Sequence, residues 1–164
     1  MSTAGLDEFL QARPRLFRIA CRIVGNPHEA EELVQDVWVR WQRTDRSAVT
    51  DPQAFLATAV SRLAINLVQS ARRRHETAAG PWLPDERTTS GPDPQAQAEN
   101  REAFAVAVQL LKDRLSPAER ATYVLREGFG YPYRDIADTL RIGTPNARQL
   151  VKRARDRLAQ ASAG

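Results

Sequence analysis

Near the end of the chain, Arg148, Gln149, Lys152, Arg153 and Arg155 recur at spacings that place them on one arc of a helix, where successive residues turn by ~100°. Ala147, Leu150, Val151, Ala154 and Leu158 take the opposite arc, and residues 141–164 hold six basic side chains against one acidic. Arginine can fork onto a guanine edge, glutamine can read adenine, and the remaining cations can hold phosphates. Thr144 and Asn146 stand at the start of this helix, where free backbone N–H groups suit a phosphate. A second set, Arg62, Asn66, Gln69 and Arg73, recurs every three or four residues and runs into Arg74 and His75. The dipole of a helix favours basic residues at its C-terminal end, but it does not require that spacing. A third set is acidic: Glu29, Glu31, Glu32, Gln35 and Asp36, followed by Trp38 and Trp41. It is a poor surface for DNA and a suitable one for docking a protein.

Covalent chemistry has little to work with. The only cysteine is Cys21 and the only histidines are His28 and His75, which rules out an internal disulfide framework and a Cys-rich zinc site. Cys21 falls on an apolar-rich helix and reads as a small core residue. We expect no catalytic residue, no metal and no cofactor. The 164 residues allow one ordinary domain or two small ones. With 42% hydrophobic and 27% charged residues the composition is that of a soluble folded protein. No apolar run approaches the ~20 residues of a membrane span, and no signal-peptide core follows Met1. The expected setting is a reducing cytoplasm, without a membrane or small-molecule partner.

The net charge of +4 is unevenly spread. Residues 1–75 carry +3, residues 76–100 carry −4, and residues 101–164 carry +5. The acidic stretch holds Pro81, Pro84, Pro92, Pro94, Gly80 and Gly91 and reads as a flexible linker. Its expected span of ~25–30 Å, extendable to ~85 Å, would let two basic blocks grip sites more than one DNA turn apart, ~34 Å.

Four segments open with a capping residue and a proline: Asn26-Pro27, Asp51-Pro52, Ser116-Pro117 and Thr144-Pro145. The cap side chain accepts a first-turn N–H, and proline at the next position loses no bond. Glu29 and Glu119 fall three residues after their caps, as in a capping box. Apolar residues at helical period follow each start and no useful alternating pattern appears. The expected fold is all-α, in two small helical domains: a bundle of three or four helices over 1–75, a linker over 76–100, and four helices over 101–164. Pro14 is expected to separate a short leading helix, with Leu6, Phe9 and Leu10, from a helix over Arg15–Val24. Within the second block, YRDIADTL, a turn RIG, and TPNARQLVKRARDRL form the pattern of a helix-turn-helix. Arg141 takes the turn position where glycine is usual, so either Arg141 is left-handed or Gly143 shifts the turn.

Taken together, Leu16–Trp41, Asp51–Arg74 and Leu115–Leu158 resemble the two conserved regions of an extracytoplasmic-function (ECF) sigma factor of bacterial RNA polymerase. The segment Gly80-Pro81-Trp82-Leu83-Pro84 is similar to the subgroup around mycobacterial sigma J. The resemblance implies a factor that directs core polymerase to promoters and helps open the strands. It implies that Glu32, Gln35, Asp36, Trp38 and Arg40 dock on the clamp helices of the largest polymerase subunit. The loop Arg43–Thr50 would capture a flipped base of the minus-ten element, and Arg62, Asn66, Arg73 and Arg74 would meet minus-ten DNA. Thr144, Asn146, Arg148, Gln149, Lys152, Arg153 and Arg155 would read the minus-thirty-five element, and the helix from Ser116 would sit near the polymerase flap. It also leaves room for an anti-sigma partner. Members of the subgroup usually carry a further ketosteroid-isomerase-like domain, for which these residues leave no room, so the expectation is either a truncated or shortened member or one that lacks regulation by that domain. The alternative is a stand-alone helix-turn-helix regulator that dimerises through its N-terminal bundle. Trp82 reads as an anchor for the linker.

Overall fold

A computed structural model of the chain describes residues 3–73 and 94–163. It contains seven α-helices and, among the described residues, no strand. They are α1 (Thr3–Val24), α2 (Pro27–Arg43), α3 (Pro52–Arg73), α4 (Pro94–Arg114), α5 (Pro117–Tyr123), α6 (Tyr133–Leu140) and α7 (Thr144–Ala163). A short 3-10 turn, Arg46–Ala48, links α2 to α3, and a π-type turn, Val124–Gly128, continues α5. Helix α4 begins at Pro94, inside the stretch read as linker. The motif Gly80–Pro84, with Trp82, and Arg74 lie outside the described residues.

The caps form as the local sequence requires. The Asn26 side chain accepts from the backbone N–H groups of His28 and Glu29, and Asp51 accepts from Ala54 at 3.2 Å. Ser116 and Glu119 close a reciprocal capping box. At Thr144 the frame moves by one residue. Gly143 contributes the carbonyl that receives the first α7 bond, from Ala147 at 3.0 Å, so Thr144 and Pro145 are the first helical residues rather than cap and first residue.

Two further sequence expectations are corrected. Pro14 does not divide the first helix: α1 runs through it. A mid-helix proline costs ~3 kcal/mol or more, but Pro14 is exposed, while Phe9, Ala12, Leu16, Ile19 and Ile23 form one buried face across it. The first turn is also tied down, since Trp41 donates from Nε1 to the Gly5 carbonyl at 2.7 Å. A side chain at Gly5 would run into the Arg46 guanidinium, 2.7 Å from the position of a Cβ. The second correction concerns length and hydropathy. Residues Pro52–Ala71 make a helix long and apolar enough to cross a membrane. Here its Leu56, Val60 and Ala64 are buried in the bundle core with α1 and α2.

The two helical groups expected from the sequence are present, α1–α3 and α4–α7, but they are not apart. One buried cluster runs from Leu16, Trp41, Leu56 and Val60 to Ala121, Val124, Leu125, Ile136 and Ala137. Cation–π contacts border it: Arg15 lies 5.0 Å from the Tyr131 ring centre and Arg22 lies 4.9 Å from that of Phe129. Cys21 is buried within it, as expected of a small core residue.

Candidate nucleic-acid and protein interfaces

Helix α7 divides as its periodicity demands. Ala147, Val151 and Ala154 are fully buried, and Asn146, Arg148, Gln149, Lys152, Arg153 and Arg155 are exposed, with Thr144 half-buried. The turn that aims α7 is tight. Arg141 adopts φ 59° and ψ 46°, the left-handed conformation, a state of modest cost for a non-glycine residue. Ile142 donates back to the Ala137 carbonyl at 3.0 Å, which closes the end of α6. The Arg148 guanidinium lies 5.5 Å from the Tyr133 ring centre, within cation–π range. Arg155 is not a free cation: its Nε donates to Glu127 at 2.6 Å, and this hydrogen bond raises its pKa further. Arg157 reaches the buried Glu119 at 3.2 Å.

On α3 the arrangement differs. Asn66 is exposed, but Arg62 is half-buried and donates from Nε to the Thr139 carbonyl at 2.8 Å and from Nη2 to the Asp138 carbonyl at 2.9 Å. Arg73 stands in the last turn of α3. Arg62 and Asn66 line a cleft of about 570 Å³ together with Arg40, Arg43 and Arg141. Among the described residues, no carboxylate lines it. The sequence reading missed Arg43 and Arg141 as members of this cluster. Arg43 follows Arg40 at helical spacing and was legible, whereas Arg141 reaches the cleft only because α6 packs on α3.

On α2, Glu32, Gln35, Asp36 and Arg40 are exposed along one side, with Val39, 42% exposed, among them. An apolar residue in a charged stripe suits a protein partner, and the sequence reading did not include Val39. Trp38 is half-buried against Phe9, ring centres 4.9 Å apart, so it contributes an edge to this surface rather than a face. Glu31 is held by Arg13 and Glu32 lies 3.5 Å from His28. The loop after α2 is ordered locally. Asp45 caps the 3-10 turn through the Ser47 N–H at 3.2 Å, and Arg46 donates to the Trp41 carbonyl at 3.3 Å.

Helix α5 carries a buried cation. Arg120 is 4% exposed, and its Nε has no hydrogen-bond partner. Burial pushes its pKa down to about 10. Burial, with Arg120 as a neighbour, also lowers that of Lys112.

Comparison with known proteins accounts for both groups. Residues 9–74 match the sigma-70 region 2 family and residues 105–158 match sigma-70 region 4. The chain is 38% identical over 152 residues to the ECF RNA polymerase sigma factor SigJ of Mycobacterium tuberculosis, covering 92% of this chain and 48% of that protein. It is 32% identical over 148 residues to the probable ECF sigma factor SigI of the same species, covering 89% and 51%. The chain therefore spans about half the length of these relatives. The crystal structure of Mycobacterium tuberculosis SigJ superposes with a TM-score of 0.66 at 34% identity, over 93% of this chain and 52% of that one. The fold is also that of the sigma factor RpoE from Bartonella quintana, solved with the anti-sigma factor NepR, at TM-score 0.70 and 20% identity over 97% and 96% of the two chains. With region 2 on α1–α3 and region 4 on α4–α7, in that order, the chain belongs to the sigma-70 family and is similar throughout to its ECF members.

Proposed function

We propose that this chain directs core RNA polymerase to promoters, reading minus-thirty-five DNA with α7 and minus-ten DNA with α3. The observation that carries the reading is the division of α7. Its apolar arc is buried and its Arg148, Gln149, Lys152 and Arg153 arc is open, on a chain whose other half matches region 2. Such a face meets bases by bidentate hydrogen bonds and phosphates by charge. Arg73 and Arg74 extend the α3 site, and Thr144 and Asn146 hold a phosphate at the start of α7. Arg155, tied to Glu127, gives a weaker phosphate contact than Arg153.

Glu32, Gln35, Asp36, Trp38 and Arg40 on α2 dock on the clamp helices of the polymerase, and the start of α5 approaches the flap. Each DNA grip alone is weak and salt-sensitive. Docking sets their separation and makes the second contact intramolecular, a gain in effective concentration. Strand opening needs a base held outside the stack, at a few kcal/mol, and the loop after α2 is where it is held. The chain works by binding, in the cytoplasm, with no covalent step of its own. The match to regions 2 and 4 favours this reading over a stand-alone dimeric regulator.

The test is transcription by core polymerase with and without the purified chain. Specific transcripts that appear only with the chain are expected. Core polymerase that never co-purifies with it, or a stable homodimer bound to a palindrome, would reverse the conclusion.

A further inference from the structure

Tyr133, the first residue of α6, stands where three arginines converge. Its half-buried ring has two guanidinium groups within cation–π range, Arg126 at 4.2 Å from the ring centre and Arg148 at 5.5 Å. Arg126 is itself tied to the backbone, donating from Nη1 to the Tyr131 carbonyl at 3.1 Å. The Tyr133 hydroxyl reaches the third cation, Arg155, which Glu127 already holds. Along α7, Arg148, Lys152 and Arg155 recur at i, i+4 and i+7 and form one line. Gln149, Arg153 and Asn146 lie ~100–160° round the helix from Arg148. The first line therefore borders the buried arc of Ala147, Val151 and Ala154, beside Tyr133, and the second faces away from it.

The two arginines on the first line use their guanidinium groups differently. Glu127 takes the Nε and Nη2 edge of Arg155, the fork that would otherwise grip a guanine. Arg148 meets Tyr133 through its charge, over the ring, and spends no N–H donor there. A guanidinium held over a ring keeps its fork free, so Arg148 can rest on Tyr133 and bond a base edge at once. An exposed arginine loses much rotamer freedom when a partner fixes it, and one already resting on a ring loses less. Among the described residues, Gln149 and Arg153 have no ring contact or ion pair of this kind. We propose that Tyr133 is a positioning residue for base readout: its ring holds the Arg148 guanidinium in the orientation that meets one base edge of the minus-thirty-five element. The proposal rests on the promoter reading. It divides the α7 face into one arginine set in advance and, on the second line, side chains that adjust when DNA arrives.

The test is binding resolved by base position. The full chain with core polymerase is titrated with single-base variants of a promoter it transcribes, and Arg148→Ala marks the position that Arg148 reads. Tyr133→Leu should lower the preference for the right base at that position at least fivefold and alter the other positions less than twofold. Tyr133→Phe keeps the ring and should restore the preference to within twofold. Added to Arg148→Ala, Tyr133→Leu should cause no further loss at that position. A loss spread evenly over all positions, a Phe variant as poor as the Leu variant, or losses that multiply in the double variant overturns the proposal. NMR of the free, unaltered chain provides the second measurement, which needs no variant to fold. The Tyr133 ring current should shift the Arg148 side-chain protons upfield of their ordinary positions, and unshifted protons overturn the proposal. A chain that shows no base preference at any position with core polymerase overturns the promoter reading instead, and the NMR shift then decides by itself whether Tyr133 holds Arg148.

Discussion

Helices α3 and α7 carry the same kind of signal and meet different fates. Each has a buried apolar face and a polar stripe with arginines at helical spacing. On α7 the stripe is open to water from Asn146 to Arg155. On α3 its first arginine, Arg62, is held by the end of α6. Periodicity tells which side of a helix turns away from its own bundle. It does not tell whether a second bundle will cover that side. The difference also separates two settings for arginine: a guanidinium open to water, and one bonded to the end of a helix from the other group.

The comparison can be broken most forcefully through the shared interior. Trp41 is fully buried, bonds to Gly5 and stacks near Phe55 of α3. Trp41→Ala should cost about 3–5 kcal/mol and, because the buried cluster is continuous, lower the melting of α3 and α7 in a single transition. Two separate transitions by calorimetry would show that the halves are energetically independent.

Arg148→Ala should cost ~1–3 kcal/mol in promoter binding at one base position, read by titrating a set of single-base variants, and leave the urea midpoint nearly unchanged. Equal losses on every sequence would demote Arg148 to a phosphate contact. Arg62→Ala should do the reverse in the free chain. It removes two hydrogen bonds to α6 and should cost about 1–2 kcal/mol of stability after allowance for solvent screening at a half-exposed site. An unchanged denaturation midpoint would mean that α6 is held without it.

The smallest effect concerns Arg120, whose buried Nε lacks a partner. Arg120→Met should raise stability by roughly 1 kcal/mol, since an unsatisfied buried donor costs ~1–3 kcal/mol. The pH dependence follows in sign. With its pKa lowered to about 10 by burial, folded Arg120 releases its proton before the unfolded chain does. The unfolded state then binds more protons, and stability should rise as pH climbs through about 10. Urea titrations of the Met variant should lack that rise.

Much of the local structure was legible because its causes are local. The capping side chains of Asn26, Asp51 and Ser116, and the left-handed Arg141, depend on neighbours within a few residues. Pro14 was misread for the opposite reason. Its local penalty is real, but packing along the whole face from Phe9 to Ile23 and the Trp41 bond to Gly5 outweigh it. The open polar face of α7 was legible from spacing alone. The cleft was not, because the Arg40 and Arg43 pair, Arg62 and Arg141 come from three separate stretches of the chain and meet only where α6 lies against α3.

Unaided, the order of residues determined a helical chain, the capped starts at Asn26, Asp51 and Ser116, the buried and wet sides of α7, and two halves matching two regions of one family. Those properties come from turn-by-turn geometry and from hydrophobic period, which act over a few residues. Tertiary structure alone decided that Arg62 bonds to the end of α6, that the halves share an interior, and that Asn66 on the same stripe stays exposed. Such outcomes depend on which surfaces of separate segments exclude water together, a choice made by shape and charge across the fold rather than along the chain.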